Sequence, residues 1–248
     1  MQNQFDPRTT TGVNTTATVG VPRAARDAGL RSYMLSVYNY MASGVLLTGI
    51  VALLFAPYAQ DVLISANGRG LSGLGWIVTL SPLAFVMVMS FGINRISTGT
   101  LQMLFWAFAT VMGLSMSTVF LAYTGTSIAQ TFFAVAAAFA GLSLYGYTTK
   151  KDLSGFGTFL IMGVVGLLVA MLINLFLQSP AMQLAISAIG VLLFAGLTAY
   201  DTQRIKSMYD HVAGTDMMGK VVIMGALNLY LDFVNMFMFL LRFMGDRR

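Results

Sequence analysis

The sequence predicts an all-α integral membrane protein of about seven spanning helices, and three observations carry that prediction. Apolar residues make up 57% of the 248-residue chain, charged residues only 9%, and seven long apolar stretches follow one another along it. A soluble domain of this length needs far more charge to cover its surface. Lipid removes that need.

The stretches cover residues 33–55, 73–93, 100–123, 128–147, 156–177, 181–201 and 221–243. Each is long enough to cross roughly 30 Å of hydrocarbon at about 1.5 Å per residue. The first run is too long for the apolar region of a cleavable signal peptide, so it reads as a retained first helix. Residues 1–32 are rich in Thr, Gly and Ala and carry Arg8, Arg23, Arg26 and Arg31 against Asp6 and Asp27. That composition predicts a polar, disordered cytoplasmic tail leading to a short membrane-surface segment. The membrane domain is then 33–248, with no room for a separate soluble unit. Most connectors are tight, such as 94–99, 150–154 and 178–180. Only 56–72 and 202–220 have room for structure of their own. Pro82 is expected to kink the second span. The pairs Gly113/Ser117 and Ala137/Gly141 offer close helix approach.

Basic residues alternate between the two sides. One side collects the N-terminal arginines, Arg95, Lys150, Lys151, Arg204, Lys206 and Lys220, while the other receives Arg69. This asymmetry predicts a cytoplasmic N-terminus. Arg242, Arg247 and Arg248 oppose it, because seven spans place them outside; a re-entrant last segment would bring them back. The full-span length of 221–243 favours seven crossings.

Composition also excludes functions. The chain has no cysteine, which removes disulfides and thiolate chemistry. The net charge of +5 is scattered in ones to threes rather than gathered in a stripe, so nucleic acid is not an expected partner. No lysine lies within a span to form a retinal Schiff base. The single histidine, His211, sits in a connector, where it serves neither an intramembrane protease nor a zinc cluster. The 18 methionines read as flexible apolar packing. No enzyme is expected, and no cofactor.

Ionisable groups at membrane depth are costly, and these are few. Asp232 lies about eleven residues into the seventh stretch, near mid-membrane by helical rise. Asn228, Asp232 and Asn235 fall at i, i+4 and i+7 and so share a helix face, with Gly225 one turn earlier. Such a stripe points into the bundle or a wet cavity, either for function or as interhelical hydrogen bonding that fixes packing. Asp201 closes the sixth stretch, where Arg204 at i+3 offers a local ion pair of equal weight to a functional role. Arg95 and Arg242 both suit snorkelling interface anchors. If Asp201 and Asp232 meet in a low-dielectric bundle, they cannot both ionise cheaply and can share one proton. Ionised, they offer oxygen ligands to Ca²⁺, with Asn228 or Asn235 carbonyls and water adding more. Arg95 could act as their internal counter-ion.

The segments Ala199-Tyr200-Asp201-Thr202-Gln203-Arg204-Ile205-Lys206 and Leu229-Tyr230-Leu231-Asp232-Phe233-Val234-Asn235, the latter running on to Arg242-Phe243, resemble the Bax inhibitor-1/YccA-like family, also called the transmembrane BAX inhibitor motif family. Asn94-Arg95-Ile96-Ser97 is a weaker match, and the resemblance covers about 33–243. It implies a seven-helix bundle with a central C-terminal helix surrounded by the other six. For bacterial members it implies a pH-sensitive calcium leak, gated by an aspartate pair that corresponds to Asp201 and Asp232, with Arg95 as partner. Other bacterial members are linked to a membrane-bound AAA protease, and eukaryotic relatives to cell-death suppression and organelle calcium. The long basic C-terminal tail of some eukaryotic members is reduced here to Gly245-Asp246-Arg247-Arg248.

The expected function is therefore a pH-sensitive cation (calcium) leak in a bacterial inner membrane, responding to H⁺. The alternative is a non-conducting regulator that binds a membrane-bound protease or another membrane partner. A proton-coupled transporter is a weaker third, since no repeat is evident. A reporter fused after Arg248 is expected to signal from the non-cytoplasmic side; a cytoplasmic signal would remove the seven-span count.

Overall fold

A computed structural model describes residues 23–67 and 70–247, so residues 1–22 of the expected 1–32 tail, Arg69 and Arg248 lie outside the described residues, while 23–32 open the first helix. The helices are α1 (Arg23–Leu63), α2 (Gly73–Gly92), α3 (Thr98–Met116), α4 (Val119–Ala122), α5 (Gly125–Thr148), α6 (Ser154–Leu177), α7 (Pro180–Val212) and α8 (Met217–Met244). Among the described residues seven helices are long and apolar enough to cross a membrane, with α3 and the single turn α4 forming one of them. No strand occurs among the described residues.

Local chemistry starts and sustains these helices. Ser72, Ser97, Thr124 and Ser179 stand at N-caps, each hydroxyl accepting from a backbone N–H three residues on. A capping oxygen satisfies one of the donors that a helix start leaves open. At the α6–α7 turn Gln178 takes a left-handed conformation (φ 49°), and Asn174 Oδ1 accepts from Ser179 N at 3.0 Å. Pro82 sits inside α2 without ending it. It cannot donate to Val78, and the Ser81 hydroxyl donates to that carbonyl instead, at 3.1 Å.

The spans match the expected stretches to within a few residues, except at three ends. α1 begins at Arg23 and runs to Leu63, and α7 continues past Asp201 to Val212. The room expected in 202–220 is thus largely helix, and so is about half of that in 56–72. The reason is physical: hydropathy falls where lipid stops, whereas backbone hydrogen bonding continues into water. These overhangs hold each other. Arg26 Nε donates to Asp210 Oδ1 at 2.9 Å, and the Tyr33 hydroxyl donates to the Ile205 carbonyl at 3.2 Å. The rings of Tyr33 and Tyr209 pack 5.4 Å apart.

The core lies along α8. In its apolar window 72% of residues are buried, against at most 39% in any other span. It packs on α7, α1, α5 and α3, while α2 packs chiefly on α3 and α6 on α7. Close approach on α7 needs small residues: the Phe239 ring lies over Gly190, and Ile205 lies over Gly225. Thr48 on α1 donates to the Ala109 carbonyl of α3 at 2.8 Å and pairs with the Tyr230 hydroxyl of α8 at 2.7 Å. That hydroxyl chain ties three helices with no polar group left over.

Of the small pairs noted in sequence, Gly113 does abut α1, where a Cβ would lie 2.8 Å from the Thr48 carbonyl oxygen. Gly141 faces open space, and α5 meets α7 instead at Gly146, where a Cβ would lie 2.2 Å from the Ala199 carbonyl oxygen. Backbone cannot swing aside as a side chain can. Gly146→Ala is therefore expected to cost about 1–3 kcal/mol through overpacking, and Gly141→Ala to be near neutral, in thermal unfolding of the detergent-solubilised protein.

Candidate functional site

Asp201 lies eleven residues before the end of α7, not at a helix end, and Asp232 lies mid-way along α8. The two contacts that set the α7–α8 register, Gly190 with Phe239 and Gly225 with Ile205, fall on either side of the aspartates. That register brings the two carboxyl groups within hydrogen-bonding range of each other. Asp232 is buried, at 4% exposure, and Asp201 is half-buried.

Among the described residues, no N–H or O–H donor reaches Asp232 Oδ2. What faces Asp232 is another carboxyl. Two ionised carboxylates there would repel in a dry setting, whereas a single proton held between them makes the contact a hydrogen bond. The geometry therefore suits a proton-sharing pair.

The other expected residues divide. Arg204, exposed at i+3 on α7, acts electrostatically on Asp201 but forms no ion pair within 4 Å; the ion pair found among the described residues is Arg26–Asp210. Arg95 lies in the exposed turn between α2 and α3 and is not among the charges acting on either aspartate. Asn228 and Asn235 are half-buried on the α8 face that also carries Arg242. Asn235 Nδ2 donates to the Leu231 carbonyl at 2.8 Å, which leaves its amide oxygen as a free acceptor type. Carboxyl and amide oxygens are hard donors of the kind Ca²⁺ takes. Clusters of three or more His, Cys, Asp or Glu do not occur among the described residues.

Sequence reasoning missed the hydroxyls next to the pair. Thr202 on α7 donates to Ser143 on α5 at 3.4 Å, and the Tyr38 hydroxyl of α1 joins both. It also missed Gln203, whose amide donates to the Lys151 carbonyl at 2.7 Å and accepts from Leu153 N at 2.8 Å. This clamps the α5–α6 connector beside Arg204, over a polar cavity of about 300 Å³. Lone hydroxyls scattered over three helices give no sequence signal. Gln203 did stand within the quoted motif.

The family model described as "Inhibitor of apoptosis-promoting Bax1" matches residues 30–248. The chain belongs to the Bax inhibitor-1 family. This family member is 47% identical to a Rickettsia prowazekii protein over 223 residues, covering 90% of this chain and 92% of the relative. It is 46% identical over 224 residues to the inner membrane protein YbhL of Escherichia coli, covering 89% and 94%. A Caulobacter vibrioides relative is 46% identical over 228 residues, covering 90% and 91%. As a Bax inhibitor-1 family member the chain is an integral membrane protein, and its seven spans fall inside or begin just before the matched region.

A double-mutant cycle tests the contact. In thermal unfolding, Asp201→Asn and Asp232→Asn are expected to be non-additive by at least about 0.5 kcal/mol, the range seen for touching residues. Additive effects would mean the groups do not interact.

Proposed function

We propose that this protein is a pH-sensitive cation leak, with calcium as cargo, gated by the Asp201–Asp232 contact. The observation that carries this reading is a buried meeting of two carboxyl groups from different helices. Neither has an ion-pair partner among the described residues. With one shared proton the pair bridges α7 and α8; without it, two like charges push the helices apart and present oxygens to a divalent cation. Protonation and cation binding then compete for the same atoms.

Asp232 is enclosed, so this conformation fits the closed side of such a cycle. Arg204 supplies the nearby positive charge in it. Arg95, exposed in its turn, would need a different arrangement of α2 to serve as counter-ion. The count of basic residues supports a cytoplasmic N-terminus, and the name of YbhL supports the inner membrane.

Purified protein in dye-loaded liposomes is expected to pass Ca²⁺ at a rate that changes between about pH 6 and 8, a window that brackets a coupled carboxylate pair. Asp201→Asn and Asp232→Asn are expected to abolish that pH dependence, since an amide keeps the shape but cannot titrate. Wild-type protein that conducts nothing would favour the non-conducting regulator of a membrane protease or another partner. Variants that respond to pH as wild type does would remove the pair from the gate.

A further inference from the structure

The seam between α6, α7 and α8 is open over half its length. At the end of α6 that faces the N-terminal side, glycines bring α6 and α7 together: Gly157 under Tyr200, Gly196 under Leu160, and Gly163 against Leu193. Beyond Gly163 the pattern stops, and Gly166 has nothing within 4 Å. Two cavities lie along this stretch of the seam. The outer one, about 380 Å³, lies at the α6–α7 turn and is lined by Asn174, Gln178, Gln183 and Ser187. The inner one, about 170 Å³, is mostly apolar but includes Asn235.

Both cavities are lined by Met171 and Arg242, so these two side chains are what stands between them. Asn235 is three residues from Asp232 on α8, about 4.5 Å along the axis. Polar side chains thus form a file from the C-terminal face toward the aspartate pair. Asn174 and Ser187 also bond backbone, at Ser179 N and the Gln183 carbonyl. With Gln178 in the turn and Gln183 on α7, these four uncharged polar groups still suit a water-filled mouth. Arg242 stands at the neck, its guanidinium 5.8 Å from the Phe239 ring.

We infer that this seam is a water-accessible vestibule that opens on the C-terminal face and ends at Asn235, and that Arg242 selects the charge of what enters it. The physiological purpose rests on the leak reading above, because a vestibule beside Asp232 is half of a conduction path. Its existence does not rest on that reading. A guanidinium shared by the walls of both cavities opposes cations and admits anions or neutral solutes, the device used in pores that exclude cations. Arg242 would then hold the cation rate down on this side, and its displacement would be one condition for flux.

The absence of cysteine makes the test direct. Single cysteines are placed at Gln183 (Q183C), Asn235 (N235C) and lipid-facing Leu172 (L172C), in membranes exposing either face. Each is probed with membrane-impermeant anionic and cationic methanethiosulfonates, and gel filtration checks each fold. Q183C and N235C are expected to react from the C-terminal face only, and L172C not at all. N235C should prefer the anionic reagent, and adding Arg242→Gln should shift that preference toward the cationic one on the order of tenfold. If Q183C reacts and N235C does not, the vestibule stops short and the inference fails. If N235C reacts equally with both reagents whether or not Arg242 is present, Arg242 has no selecting role. Neither readout needs ion flux, so a protein that conducts nothing would sink the leak reading and leave the vestibule standing.

Discussion

The rest of the structure depends on how closely α8 lies against α7. A helix buried on most of its surface cannot be positioned by lipid, so its place is set by which side chains fit over which small ones. Phe239 over Gly190 and Ile205 over Gly225 fix one antiparallel register, and the aspartates sit between those two contacts. Sliding the helices by one turn would separate Asp201 from Asp232 and bury each carboxyl against apolar surface. The cost of an isolated buried carboxylate makes that alternative steep.

The spans were legible because the bilayer imposes one rule on every crossing segment: the backbone satisfies itself and the surface stays apolar. The ends were not. At Asp201 the hydropathy drops while α7 continues to Val212, so a residue inside a helix looked like the close of one. Asp232 was legible from depth alone. Asp201 gained weight only through its motif, and its partner could be known only from the packing. Arg95 was brought in by resemblance, and the fold leaves it in a solvent-facing turn. Which small residues mediate contact was also hidden: Gly141 and Gly146 are equivalent in sequence terms, yet only the second meets a backbone.

Polar groups inside this bundle follow a consistent economy. Thr48 and Tyr230 close a chain from α1 and α3 to α8, and Thr202, Ser143 and Tyr38 link α7, α5 and α1. These hydroxyls have partners whatever the pH. The aspartate pair differs, since its contact holds only with a particular number of protons.

The overhang of α7 adds a mechanical aspect. Unbroken helix runs eleven residues on from Asp201 to Val212, and α1 grips the rod along that length, Tyr33 at Ile205 and Arg26 at Asp210. A continuous helix is stiff over three turns. Tilting its tip therefore swings the carboxyl, much as a tiller turns a rudder. The handle lies on the face where α1 begins, beside Arg26.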